Sequence, residues 1–196
     1  MVKQEFFEFF KTPFWFFSSK NFPELVKDEI DEIVKNKKSR SLNRGPVKIA
    51  GPKNMHTSIG GFTNSLGPNF YENPHTKIEK YIKENLKGLP VNTNITRAWI
   101  NITSSTDYNR SHNHVGHADL VFVLYLTKGK LWIQNSNWRP NLDKRIYGTG
   151  SSISFDFKIG DMIVFPSDLY HWVEPYEGNN LRISVTGNLS LDSIIN

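Results

Sequence analysis

Six histidines occur in this chain, and three of them stand where they could share one ion. The segment Asp-Tyr-Asn-Arg-Ser-His-Asn-His ends at His112 and His114, and Gly-Asp-Met-Ile-Val-Phe-Pro-Ser-Asp-Leu-Tyr-His ends at His171. His112 and His114 are two residues apart, so in extended backbone both side chains leave on one face. A distant His171 can complete a face of three imidazoles and leave further coordination positions open. Imidazole alone suits Fe, Zn, Cu and Ni. His117 and Asp119 form a competing His-x-Asp pair. Its chemistry fits the common two-histidine, one-carboxylate triad better, but Asp119 abuts the apolar run 120–126 and leaves almost no loop before the strand. Surface histidines in a polar loop are the ordinary alternative; the H-x-H pair with a later His at a strand end favours a site over that alternative.

A second constellation lies on Leu-Arg-Ile-Ser-Val. Arg182 and Ser184 are i and i+2 on a strand, so they share a face, and that face points inward if Ile183 and Val185 point the other way. An inward arginine is rare without an anion. Its guanidinium can grip a carboxylate with two parallel hydrogen bonds, and Ser184 can add a third. Tyr125, in Val-Leu-Tyr-Leu, could offer a phenol to the same carboxylate. The bland alternative is an internal ion pair with Asp156, Asp161 or Glu174.

These residues need a scaffold of strands, and the second half of the chain supplies one. From about residue 91 the hydrophobic period changes from 3.6 to 2. The runs AWINI, DLVFVLYL, KLWIQ, SISFDF, DMIVFP and LRISVTGN are rich in Ile, Val, Phe, Trp and Tyr. Such a series without intervening helices implies an antiparallel sandwich or barrel. Before it, residues 23–38 read as a helix with Pro23 in the first turn, and 76–87 as a second helix stopped by Gly88-Leu-Pro90. The aromatic first 20 residues suggest an edge strand tucked against the core, and 40–74 a long loop. The polar stretch 134–150 could act as a lid over substrate. Trp132, Trp138 and Trp172 either line an aromatic entrance or serve as barrel packing.

The 196 residues suit one domain. We divide it into an N-terminal arm with supporting helices (1–90) and a core that carries the site (91–196). With 38% hydrophobic and 22% charged residues, the chain is composed to fold. Zero cysteines exclude disulfides, thiolate metal sites and cysteine nucleophiles, and favour the cytoplasm. The start, MVKQEFFEFFKTPFWFF, is broken by Glu5, Glu8, Lys11 and Pro13, unlike a signal peptide. No run approaches the roughly 20 apolar residues of a membrane span. The net charge of +5 centres on Lys35, Lys37, Lys38, Arg40 and Arg44. That cluster lacks interleaved aromatics, so it reads as a solvated helix end and not as a nucleic-acid patch.

The pattern as a whole resembles a known family. Trp-x-Asn from Trp99, Asp-Tyr-Asn-x-x-His-x-His-x-Gly, a strand ending Tyr-Leu, Gly-Asp-x-x-x-Phe-Pro-Ser-x-Leu-x-His and Arg-Ile-Ser-x-x-x-Asn look like the 2-oxoglutarate-Fe(II) oxygenases. The similarity is to relatives of the prolyl-hydroxylase-like group of the marine bacterial and phage type, and it runs from Trp99 to Asn188. The resemblance implies a mainly β fold, a double-stranded β-helix (jelly-roll, cupin-like barrel) with flanking N-terminal α-helices. It implies Fe(II) held by His112, His114 and His171, and 2-oxoglutarate held by Arg182 with Ser184 and Tyr125. The implied reaction is hydroxylation of a small-molecule or peptide substrate with release of succinate and CO2. Two positions depart from the pattern: Val115, where proline is common, and Phe122, where glycine is frequent. Two rivals stand beside this reading. One is a cupin-type metalloenzyme that does not use 2-oxoglutarate; the other is a jelly-roll binding protein without turnover. The sequence does not set the oligomeric state.

Overall fold

The structure, a computed structural model, describes residues 12–40, 56–57, 76–103, 108–134, 151–175 and 180–192. The elements in chain order are β1 (Trp15–Phe17), α1 (Phe22–Leu25), α2 (Lys27–Arg40), β2 (His56–Thr57), α3 (Thr76–Leu86), β3 (Thr93–Thr103), β4 (Asn109–His112), β5 (Leu120–Tyr125), β6 (Gly129–Gln134), β7 (Ser152–Phe157), β8 (Met162–Pro166), β9 (His171–Val173) and β10 (Arg182–Leu191). They form two antiparallel sheets. One has the order β1-β8-β5-β10-β3-β2 and the other β4-β9-β6-β7.

The larger sheet separates two cores. On its outer side Ile100, Ile102, Phe122, Leu124, Val164 and Val185 pack on Phe22, Val26, Ile33, Ile78, Ile82 and Leu86 from the helices. On its inner side Val121, Val123, Tyr125, Ile163 and Phe165 meet Leu131, Ile133 and Phe157 of the smaller sheet. This is the double-stranded β-helix with helices on one flank. Because both faces of β5 are covered, all six of its residues are buried, and the run shows no polar alternation.

A buried carboxylate ties α2 to α3, beside an exposed ion pair between Asp28 and Lys77 (2.7 Å). Glu29 of α2 is buried, and its two oxygens accept the main-chain N–H groups of Lys77 (2.8 Å) and Ile78 (3.0 Å). These are orphan donors of the first turn of α3, where a negative charge also suits the helix dipole. β1 joins the edge of the larger sheet beside β8. Phe14 and Phe16 lie against Phe155 of β7, at 5.8 and 5.2 Å between ring centroids, and so link the edges of the two sheets.

Several expectations need correction. The helix expected over 23–38 is two helices, because Val26 leaves the helical dihedrals (φ −111°, ψ 8°) and is fully buried beside Phe22. The strand expected at 98–102 runs over 93–103, since β3 pairs with β10 along its whole length. The strands β4 and β9 were not expected. They are short and read NRSH and HWV, too brief for a period to show. Most of the expected loop at 40–74, the proposed lid at 134–150 with Trp138, and the basic cluster beyond Lys35 lie outside the described residues or side chains.

Candidate metal and co-substrate site

The ladder between β10 and β3 lays out the site. Its rungs are Arg182 with Thr103, Ser184 with Asn101, Thr186 with Trp99, and Asn188 with Arg97. The alternate residues Ile183, Val185, Ala98, Ile100 and Ile102 belong to the helix-side core. Period two therefore turns Arg182, Ser184, Thr186 and Asn188 into the barrel on one polar stripe. The histidines gather at the Asn188 end of that stripe and Arg182 lies at the other.

At the histidine end, the smaller sheet pairs His112 of β4 with His171 of β9. Two residues on, His114 is held by its main-chain N–H, which donates to the Ser167 carbonyl at 2.8 Å. The potential ligand atoms of His112, His114 and His171 all lie within 4.8 Å of one another. His114 Nδ1 lies 2.6 Å from Asn188 Oδ1 and His171 Nδ1 lies 3.0 Å from the Leu169 carbonyl. Both partners are acceptors, so both rings carry their proton on Nδ1 and turn an Nε2 lone pair elsewhere. His114 Nε2 is buried and has no hydrogen-bond partner. Burial pushes the His171 pKa down to about 3, with His112 and His114 adding to the effect and the Leu169 carbonyl opposing it. The His114 pKa is also lowered by burial, against the pull of Asn188. Neutral rings with convergent lone pairs, one of them orphaned in the interior, fit a divalent cation. Trp99 stacks on His114 at 5.7 Å and 11°, and the Arg97 guanidinium lies 5.7 Å over the Trp99 ring.

At the other end, Arg182 Nε donates to Thr103 Oγ1 at 3.0 Å and Nη1 to the Glu174 carbonyl at 3.1 Å. The acidic residues considered as partners are engaged elsewhere: Asp156 lies 3.4 Å from Lys130, and Asp161 accepts the Lys158 N–H. Glu174 meets Arg182 through its main chain. Tyr125 sits opposite Ser184 and stacks on Phe157 at 4.5 Å. Burial raises its pKa, opposed by the charge of Arg182, so the group stays a phenol able to donate. The ring lies over Gly129, where a Cβ would stand 2.3 Å from Tyr125 Cε1. On β4, Asn109 pairs with Val173 and has a buried Oδ1 without a hydrogen-bond partner.

Other candidates fall outside this arrangement. His117 is exposed and its N–H closes a turn onto the His114 carbonyl. Asp119 Oδ2 accepts the Leu191 N–H at 2.8 Å, and neither joins the histidine cluster. Trp132 and Trp172 are cross-strand partners stacked at 5.8 Å. They are strand neighbours of the inward Ile133 and His171, so they occupy the opposite face of the sheet and do not line the barrel interior. The sequence reading missed Thr103 and the roles of Trp99 and Asn188. Continuing the i, i+2 pattern from Arg182 and Ser184 to position 188, and from Trp99 to Thr103, would have found them.

Residues 97–188 match the family model described as "Putative 2OG-Fe(II) oxygenase". The chain carries a 2OG-Fe(II) oxygenase core. No curated protein matches the sequence. Among solved structures, the chain is similar to a Pseudomonas putida prolyl-4-hydroxylase, with TM-score 0.54 and 14% identity over 91% of this chain and 92% of that one. It is also similar to a Trichoplax adhaerens prolyl hydroxylase in complex with a hypoxia-inducible-factor peptide fragment (0.57, 13%, 90% and 82%). A third is HygX from Streptomyces hygroscopicus with nickel, 2-oxoglutarate and hygromycin B bound (0.56, 10%, 91% and 82%). At these identities the likeness speaks for the fold of the oxygenase. Its cofactors are Fe(II) and 2-oxoglutarate.

Proposed function

We propose that this oxygenase binds Fe(II) through His112, His114 and His171 and 2-oxoglutarate through Arg182, Ser184 and Tyr125, and hydroxylates a small-molecule or peptide substrate. The observation that carries this reading is one inward stripe with three convergent imidazoles at one end and a buried arginine at the other. When bound, the iron and 2-oxoglutarate would let O2 serve as the oxidant, one oxygen atom going into succinate as CO2 is lost and the other into a substrate C–H bond.

The chain's own residues do the rest. The Leu169 carbonyl holds His171 in the tautomer that leaves Nε2 for metal. Arg182, braced by Thr103 and the Glu174 carbonyl, presents a fixed cation for the distal carboxylate of 2-oxoglutarate. Ser184 and the Tyr125 phenol add neutral donors on neighbouring strands. The apolar wall of Val121, Val123, Ile163 and Phe165 keeps water from the interior. The substrate enters from the histidine end, where His112 is exposed. The relatives in this fold accept partners as different as a peptide fragment and hygromycin B, so we leave the substrate class at small molecule or peptide. We place the protein in the cytoplasm on its lack of cysteine. The division into an arm with helices (1–90) and a site-bearing core (91–196) within one domain is likewise our proposal.

The test is anaerobic titration of Fe(II)-loaded protein with 2-oxoglutarate, following the visible charge-transfer band of the chelate. The band is expected in wild type and absent in His171→Ala. In Arg182→Ala it should need roughly 30- to 4,000-fold more 2-oxoglutarate, because truncating one partner of a buried charge pair costs about 2–5 kcal/mol. A wild type that binds iron without developing the band would refute the co-substrate assignment.

A further inference from the structure

The Arg-Ile-Ser-x-x-x-Asn stretch ends on a residue to which neither metal nor co-substrate binding, as proposed above, gives a direct ligand role. Asn188 is 6% exposed, in the same interior as His114 at 7%. It is the last inward residue before a β-bulge between Asn188 and Leu189 breaks the register with β3. Its Oδ1 approaches His114 Nδ1 at 2.6 Å, while His114 Nε2 stays buried with no partner. An amide oxygen only accepts, so the ring proton belongs on Nδ1 and the lone pair on Nε2, the buried atom without a hydrogen-bond partner. The carboxylate that could have been expected near a divalent ion is engaged elsewhere: Asp119 accepts the Leu191 N–H. Among the described residues the metal-ligating cluster contains no acid.

We infer that Asn188 is a positioning residue for the metal: its amide oxygen locks His114 in the Nδ1–H tautomer while adding no charge behind the ring. The inference rests on the three-histidine reading of the site. Its physical content is twofold. A free imidazole exchanges its proton between the two nitrogens, and only one tautomer offers Nε2 to an ion. A partner behind a metal-bound histidine also tunes how strongly that ring donates, and removing such a partner typically costs 10–100-fold in metal affinity. Aspartate in this place would keep the acceptor and add a negative charge; leucine would keep the volume and remove the acceptor. With asparagine, the residue behind His114 is neutral, and an imidazole that binds a metal brings no charge of its own. The positive charge of the metal is therefore left for the 2-oxoglutarate dianion to balance.

Two measurements test this. The first is long-range proton–nitrogen NMR of the metal-free protein at pH 7.5, where six histidines give a readable set of ring nitrogens. His114 is expected with its proton on Nδ1 in wild type and in Asn188→Asp, and without that preference in Asn188→Leu. The second is Co(II) titration followed by the visible d–d absorption, without and with 2-oxoglutarate. Asn188→Leu should bind Co(II) about 10–100-fold more weakly than wild type. Asn188→Asp should bind at least as tightly as wild type and gain less from added 2-oxoglutarate. Thermal melts of both variants check that they are folded. A wild-type His114 protonated on Nε2 would overturn the proposal whatever the variants do. So would folded Asn188→Leu with wild-type Co(II) affinity, or folded Asn188→Asp as weak as Asn188→Leu. Wild type with the expected tautomer but no Co(II) binding would end the three-histidine reading, and this role with it. A normal wild-type titration with an indifferent Asn188→Leu would end this role alone.

Discussion

Adding a single methyl group to β10 tests how the strand that carries the site is seated. Gly187 lies directly opposite Phe122 of β5. A Cβ at 187 would fall 2.2 and 2.5 Å from Phe122 Cε1 and Cζ, and 2.9 Å from the Arg97 carbonyl oxygen. Ordinary contact starts near 3.4 Å, so the ring would have to retreat by about 1 Å in a close-packed interior. Phe122 is fully buried and has no free side to move into. Overpacking of this kind costs roughly 1–3 kcal/mol. For a chain of this size that lowers Tm by about 2–12 °C. Phe122→Ala alone should cost about 3–5 kcal/mol through the cavity it leaves. In the double variant the new methyl enters the vacated ring space, so the clash with Phe122 disappears and only the 2.9 Å approach to the Arg97 carbonyl remains; adding the methyl should therefore cost less in the Phe122→Ala background than in wild type. Urea unfolding of the four proteins measures the coupling, expected at about 1–3 kcal/mol in favour of the double. If the two costs add within about 0.5 kcal/mol, the steric reasoning is refuted. The pair also accounts for a departure from the family pattern. Phenylalanine is accommodated at 122, where glycine is frequent, because glycine stands across from it at 187.

The metal-free protein should lose stability in acid through His171 and His114. Their folded pKa values are depressed by burial, so the neutral rings favour the fold. That contribution is complete above the unfolded histidine value near 6.5 and falls as pH drops below it, toward about 3 for His171. Urea midpoints of the metal-free protein at pH 8 and pH 5 check this, and a His171→Leu variant that keeps the full difference would refute the assignment to His171. Asp119→Ala should lower stability by only about 0.5–1.5 kcal/mol, because the Leu191 N–H that loses its acceptor is exposed and water can take its place. Co(II) affinity should stay unchanged in that variant, and its loss would restore His117 and Asp119 as ligands.

Among the described residues no helix is long and apolar enough to cross a membrane. The scaffold was otherwise readable to unequal degrees. β5 and β8 were legible because each is a dense apolar run, β10 because Ile183 and Val185 alternate with polar residues, and α3 because Ile78, Ile82 and Leu86 recur at helical spacing. β4 and β9 were not, although they carry two of the three histidines. Their few polar or mixed residues gain strand geometry only from the neighbours they pair with. The break at Val26 was hidden for a similar reason, since burial beside Phe22 outweighs the local helical pattern.

The sequence by itself determined which side chains share a face. A period of two puts His112 with His114, and Arg182 with Ser184, whatever surrounds them. It did not determine which faces meet, because that depends on strand partners far apart in the chain. The pairing of β4 with β9 brings His171 to His112, and the pairing of β10 with β3 sets Thr103 behind Arg182. The position of Asn188 at the histidine end, with Oδ1 on His114, is likewise a product of the closed barrel. The Trp132–Trp172 stack, strand neighbours of Ile133 and His171 turned to the other face, follows from the same rule once the register is known.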